Sequence, residues 1–388
     1  MDHKRYLTNK AFCPLPWTGF YVEPTGKVKN CVVATDKLGD VSDSHIQDIM
    51  RAPTNIYVQE SMLDGKKHKS CGACHGLEDG KNSFDKISSR LYYLKALRNV
   101  PMDTYEQGNF DLRHVDVRWQ NTCNFACVYC GPAWSSKWEQ EIGARVPRPS
   151  KPRKQQLKDY IFDHAAKLEN VYLAGGEPLL MTENEEFLEH LLAVNPQASL
   201  RVNTNLSKTC TKVFDLLLRF KQVHWTVSAE AMGDRFEYIR WGGRWTDFCD
   251  NLSIINNTGH KISFNMLWFL LNSNHIFDTV DHFLASGYQE NSFVLGPILG
   301  PRHLDIRNLP KDALQSLEEE LIKRINKKPG YLLEDGYEIL LQHLRTPFTA
   351  DFDRSMAEIA KLDIRRNIDS KKIFDELYGG RHRHGKTI

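Results

Sequence analysis

From about residue 109 onward, short apolar runs alternate with longer segments whose apolar positions recur at helical spacing. The pattern predicts strands at 113–119, 170–174, 199–204, 223–229, 261–269 and 291–296, and helices at 134–142, 155–168, 183–194, 209–219, 246–258 and 275–286. Strands separated by helices imply a parallel sheet with covered faces. Six such units fall short of a closed barrel, so the expected fold is α/β, a partial (β/α)6 TIM-like barrel. In any parallel sheet of this kind, chemistry belongs at the carboxyl ends of the strands.

The flanks read differently. Residues 1–108 are short alternations broken by Pro14, Pro16, Pro24, Gly26 and Gly39, with a hairpin across Phe20–Lys29 turning at Pro24–Gly26 and helices near 43–52 and 84–98. A small module of this sort gains stability from a metal centre that ties its loops together. Beyond the barrel segment at 109–310, residues 311–388 predict helices at 311–326, 332–344, 349–362 and 370–378. They are expected to form a helical extension over the barrel.

Composition narrows the class. No apolar stretch is long enough to cross a bilayer, and Met1–Tyr6 leads into polar residues without a signal segment, so a cytoplasmic protein without a membrane partner is expected. The 51 basic and 49 acidic side chains are interspersed, which offers no electrostatic argument for nucleic acid. The basic run Arg145–Lys154 reads as a loop, and the tail Arg381–Lys386 as solvated.

Nine cysteines are the informative count. In a reducing compartment their grouping points to metal or cluster ligation rather than disulfides. Cys210 and Cys249 lie in amphipathic surroundings and are expected to be plain buried thiols. Cys123, Cys127 and Cys130 follow the first barrel strand in a Cys-x3-Cys-x2-Cys group. Three thiolates on one loop satisfy a four-iron, four-sulfur cluster at all but one iron. A structural zinc completed by His114 is the alternative. The second strand ends in Gly175-Gly176-Glu177-Pro178, where adjacent glycines allow close backbone approach and Glu177 places a carboxylate at the same sheet edge. Asn203 and Asn205 end the third strand, and Ser228 and Glu230 end the fourth, as further polar candidates. Ahead of the barrel, Cys13, Cys31, Cys71 and Cys74 supply four sulfurs, enough for a second cluster or for zinc.

The cysteine triad with its Gly-Gly-Glu-Pro partner resembles the radical S-adenosylmethionine superfamily. That resemblance implies a 4Fe-4S cluster on Cys123, Cys127 and Cys130, with S-adenosylmethionine on the open iron and residues 175–178 holding its amino group. It also implies Tyr129 at the adenine, and pocket roles for Asn203, Asn205, Ser228 and Glu230; the family often has Asp where Glu230 stands. The segments Phe12–Trp17, Val22–Cys31, Leu38–Asp40, Ile46–Ile49 and Cys71–Cys74 resemble SPASM or twitch modules, which implies a second 4Fe-4S cluster, here before the barrel. The implied function is hydrogen-atom abstraction leading to oxidation, crosslinking or epimerisation of a peptide or protein, with a small metabolite or sugar as the alternative substrate. An external donor such as flavodoxin or ferredoxin would supply the electron. Candidate substrate-facing residues are Arg118, Gln120, Arg240, Asn265 and Trp268. A noncatalytic iron–sulfur electron carrier and a zinc-organised binding protein are the competing classes.

Overall fold

The computed structural model describes residues 8–79 and 88–378. The readings made at Met1–Tyr6, at the start of the 84–98 helix and in the Arg381–Lys386 tail lie outside these residues.

Six parallel strands follow the predicted pattern: β4 (His114–Val117), β5 (Asn170–Leu173), β6 (Ser199–Thr204), β7 (Val223–Ser228), β8 (Lys261–Trp268) and β9 (Phe293–Pro297). The sheet does not close among the described residues; it continues instead into the N-terminal segment. Strand β1 (Gly19–Val22) pairs parallel with β4, while β2 (Lys27–Lys29) and β3 (Gly39–Asp40) extend it antiparallel. The order is therefore β3-β2-β1-β4-β5-β6-β7-β8-β9. The expected hairpin is present, its turn closed by Glu23 and Lys27 at 2.9 Å, with Gly26 at φ +94° where a side chain would be strained. The N-terminal module is thus joined to the barrel through backbone hydrogen bonds as well as by packing.

Side chains alternate along the barrel strands. Val171, Leu173, Leu200, Val202, Trp225, Val227, Phe264 and Met266 turn outward into one continuous core beneath the helices. Tyr172, Arg201, Asn203, His224, Thr226 and Asn265 alternate with them and remain partly exposed on the inner face. A parallel strand buried on both faces reads as a continuous apolar run. These strands do not, because their inner face lines an open polar lumen rather than a packed centre.

Helices at Ser136–Ile142, Lys151–Asp163, Thr182–Val194, Lys212–Leu217, Trp245–Asn256 and His275–Ala285 match the predicted units, and Gly233–Ile239 adds a short one. The Lys212 helix starts later than its periodicity suggested because the Thr211 hydroxyl caps it, accepting from Phe214 N at 3.2 Å. That start leaves Cys210 in the preceding loop, exposed, and not buried as expected; Cys249 is partly buried against the core. In the C-terminal extension, helices Lys311–Asn326, Tyr331–Arg345 and Phe352–Arg366 form, and the last predicted helix is reduced to short 3-10 turns. Tyr331–Arg345 covers the edge strand β9, with Gly336 tight against Leu295.

Phe20 is fully buried on β1 and stacks with Phe110 at 6.4 Å. Phe20→Ala is expected to lower unfolding stability by about 3–5 kcal/mol. Because β1 and β4 share one ladder, fluorescence and far-ultraviolet circular dichroism should report the loss as one coincident transition.

Candidate active site

The direction of each strand decides which residues meet. The loop carrying Cys123, Cys127 and Cys130 leaves the carboxyl end of β4, and Gly175–Pro178 leave the neighbouring end of β5. The two loops touch through backbone. Glu177 N donates to Thr122 O at 2.7 Å, and a Cβ on Gly176 would lie 2.1 Å from that same oxygen. Gly175 adopts φ +125°. Both glycines are therefore required by close approach or by backbone conformation.

The Glu177 carboxylate is 1% exposed. Oε1 accepts from Thr204 Oγ1 at 2.7 Å and from Leu179 N at 3.1 Å, and Oε2 accepts from Asn205 N at 2.6 Å. Glu177 thereby ties the end of β5 to the end of β6. Burial outweighs these donors and pushes its carboxyl up to about 7. Asn205 Nδ2 reaches toward Cys123 Sγ at 3.8 Å and donates to Asn124 Oδ1 at 3.2 Å. Three strand ends consequently converge on Cys123.

The cysteine loop is held from several sides. Ser136 Oγ accepts from Cys123 N and donates to Cys123 O, both at 3.1 Å. Trp138 Nε1 donates to Cys127 O at 2.7 Å. Ala126 N and Val128 N donate to Trp241 O and Ile239 O, each at 2.8 Å. From the C-terminal extension, Arg366 donates to Ala126 O at 2.7 Å, pairs with Glu141 and lies over the Trp138 and Trp241 rings.

Glu230, Arg240 and Tyr129 form one buried group behind Cys127. Glu230 and Arg240 are 1% and 4% exposed and pair at 2.8 Å, while the Tyr129 hydroxyl donates to Glu230 at 2.9 Å and accepts from Arg240 at 2.6 Å. These three residues had been assigned to adenine, ribose or substrate separately, and the fold brings them together. Ser228 ends β7 nearby, and Asn203 faces the lumen with a buried Oδ1 that lacks a partner. Arg118 pairs with Asp116 at 3.2 Å beneath the Tyr21 and Trp134 rings. Gln120 donates to Glu183, Asn265 faces the lumen, and Trp268 is fully buried in the core with its indole N–H on Ser273 O at 2.8 Å.

Burial raises all three thiols of the loop, Cys130 to about 12, and Cys123 is raised further by Cys127. Their thiolates thus need a cationic partner, which the irons of a cluster would supply. His114 cannot complete a zinc site with them. It lies at the opposite, amino end of β4, buried, with Nδ1 on Asn170 O at 3.1 Å.

The second cysteine group sits at that opposite end. Cys13 precedes β1 and Cys31 follows its antiparallel partner β2, so the hairpin returns both to one edge. Cys71 and Cys74 open the helix Gly72–Glu78 beside them, and desolvation raises all four thiols, those of Cys13 and Cys31 further through the neighbouring sulfurs. Cys13, Cys31 and Cys71 pack on a separate small core containing Phe12, Leu15 and Trp17. Buried amides fix that segment: Asn55 and Gln59, on the helix Pro53–Leu63, both donate to Pro16 O, and Asn30 donates to Asn55 at 2.7 Å. Among the described residues no three His, Cys, Asp or Glu side chains converge around a single metal ion. Cluster ligands each bind a different iron and stand farther apart than the ligands of one ion.

Some of these contacts had no local signal in the sequence. Thr204, Ser136, Trp138 and Arg366 reach the cysteine loop or Glu177 only through pairing register or packing. The Glu230–Arg240 pair was the most accessible, as two opposite charges ten residues apart across one short helix.

Replacing Gly176 by Ala should cost at least about 2 kcal/mol because the obstacle is backbone. Gly131→Ala, with open space around its Cβ, should stay within about 0.5 kcal/mol in the same denaturant titration. The raised Glu177 carboxyl carries a second expectation. Its stabilising protonated form is fully present below the unfolded value of 4.5 and is lost as pH rises through about 7. Metal-free wild type should therefore lose up to about 3 kcal/mol relative to Glu177→Gln across that window, measured by urea unfolding at each pH.

Two family profiles match the chain, one over each of the cysteine groups. The profile of the radical SAM superfamily matches residues 117–283, and that of an iron–sulfur cluster-binding domain, SPASM, matches residues 13–75. A GTP 3′,8-cyclase from Sulfurimonas denitrificans is 23% identical over 230 residues, covering 55% of this chain and 67% of the relative. Among solved structures, anSMEcpe with bound AdoMet and a Kp18Cys peptide is 12% identical with a TM-score of 0.39, covering 54% of this chain and 59% of that one. Streptococcus suis SuiB bound to its precursor peptide SuiA is 14% identical with a TM-score of 0.41, covering 80% of this chain and 69% of that one. The chain thus carries a radical S-adenosylmethionine superfamily domain at residues 117–283, with a SPASM iron–sulfur cluster-binding domain ahead of it at residues 13–75.

Proposed function

We propose that this protein is a radical S-adenosylmethionine enzyme that modifies a peptide or protein by oxidation, crosslinking or epimerisation. The observation that carries the reading is the contact between Thr122 and Glu177, which joins the Cys123–Cys130 loop to the Gly-Gly-Glu loop at one sheet edge. When bound, a 4Fe-4S cluster and S-adenosylmethionine supply reductive cleavage of the cofactor and removal of a substrate hydrogen atom. Cys123, Cys127 and Cys130 are the residues to hold that cluster. Gly175–Pro178, Asn205 and Ser228 line the edge where the methionine and ribose groups would lie. Glu230 and Arg240 neutralise each other behind Cys127 and, with Tyr129, make a rigid wall there.

Cys13, Cys31, Cys71 and Cys74 are the residues to hold a second cluster at the far end of the lumen. Four protein sulfurs would leave such a cluster no open iron, which suits electron transfer rather than substrate chelation. A flavodoxin or ferredoxin is the class of reductant the reaction needs. The peptide reading follows the SPASM domain, and the similarity to a protein named GTP 3′,8-cyclase favours a small metabolite as the second reading.

Anaerobic reconstitution should load about eight irons per chain, falling to about four in Cys127→Ala or in Cys74→Ala. With reductant and S-adenosylmethionine, wild type and Cys74→Ala should form 5′-deoxyadenosine, and Cys127→Ala should not. Wild-type protein that is loaded with iron, reduced and still silent in chromatography of the products would overturn the reading.

A further inference from the structure

Among the described residues, the lumen between the two cysteine groups contains one positive charge, that of Arg201, without an acidic partner. Strand pairing sets Tyr21, Asp116, Tyr172, Arg201 and His224 side by side as a single layer around the inner face. Within it, the Asp116 carboxylate is engaged by Arg118. His224 is held neutral, its imidazole pushed down to about 3 by burial and by Arg201, while its Nε2 meets Ser263 Oγ at 2.7 Å. Arg201 has no hydrogen bond or ion pair among the described residues. Its Nε is buried without a partner, and its guanidinium rests 4.6 Å above the Tyr92 ring. Tyr92 comes from the helix Ser89–Ala96, where its hydroxyl accepts from Asn170 Nδ2 at 3.0 Å, while Arg90 of the same helix is engaged by Glu78.

A guanidinium whose Nε is buried without a hydrogen-bond partner is costly, and a ligand oxyanion is the partner that offsets the cost through two parallel hydrogen bonds. The anion is not the carboxylate of S-adenosylmethionine. Arg201 lies on β6 four residues before Asn205, whose Nδ2 reaches toward Cys123 Sγ just past the strand's end, or about 13 Å of extended chain away. Between them, Asn203 offers its unpartnered Oδ1 to an N–H or O–H group.

We propose that Arg201 is a substrate-binding residue, and that the substrate carries a carboxylate or phosphate seated on it in the middle of the lumen. The anionic group is then the substrate's deep anchor, Asn203 accepts a hydrogen bond from a neutral donor farther up, and the reacting carbon lies toward the cysteine triad. This assignment rests on the radical S-adenosylmethionine reading for the identity of the upper edge, but the anion site itself does not require that chemistry.

The test is calorimetric titration of the reconstituted protein, kept anaerobic, with glutarate, inorganic phosphate and the neutral glutaramide. At least one anion should bind ten or more times tighter than glutaramide. Arg201→Gln should abolish that preference and Arg201→Lys should restore part of it. Preference for glutarate identifies a carboxylate substrate, and preference for phosphate identifies a phosphorylated one. Arg201→Gln should melt no lower than wild type without ligand, since it removes an unpaired charge. Saturating S-adenosylmethionine should leave anion affinity unchanged. Equal binding of anions and glutaramide, retention of the preference in Arg201→Gln, or competition by S-adenosylmethionine would each overturn the proposal. Absence of 5′-deoxyadenosine with the anion preference intact would instead count against the proposed function alone.

Discussion

The backbone contact between Thr122 and Glu177 is the constraint on which the upper edge of the barrel depends. Two loops from adjacent parallel strands approach until the amide of one bonds the carbonyl of the other at 2.7 Å, leaving no room for a side chain at position 176. From that point Glu177 reaches across to Thr204 and Asn205, and Asn205 reaches back to Cys123. The ends of β4, β5 and β6 are thereby closed into a ring of hydrogen bonds around the first cysteine. A carboxylate so buried and yet held by three donors is a rigid post, and it leaves limited acceptor capacity for a ligand ammonium.

Around that ring the protein tolerates buried charge that packing alone would disfavour. Glu230 with Arg240 and Glu141 with Arg366 are desolvated pairs on either side of Cys127. A buried pair contributes little net stability compared with apolar residues of similar shape, so its value lies in holding one geometry. Arg366 also makes the C-terminal extension part of the site, because its guanidinium crosses to the carbonyl of Ala126. The extension therefore both covers the β9 edge and braces the cysteine loop.

The opposite end of the barrel is organised by the hairpin. Since β1 runs parallel to β4 and β2 returns antiparallel, residues before β1 and after β2 emerge where the barrel strands begin. The four N-terminal cysteines are consequently separated from the other three by the length of the lumen, whichever order the modules take in the chain. A substrate in that lumen would have one cysteine group above it and the other below.

The strand and helix pattern was legible because apolar alternation follows directly from which face of each strand meets the helices. Both cysteine groups and the Gly-Gly-Glu-Pro turn were equally legible, since ligand spacing and glycine requirements are local. Residues 19–22 gave no hint that they would pair with 114–117, because parallel pairing over ninety-odd residues leaves no trace in either segment. Nor could periodicity distinguish Tyr129, Glu230 and Arg240 as a group, or show that Arg118 has a carboxylate beside it while Arg201 has none among the described residues. The sequence by itself determined where the cysteine groups and the paired glycines fall and which faces must be buried. Only the tertiary structure decided which charges meet, because neutralisation depends on distances across the sheet that no single segment contains.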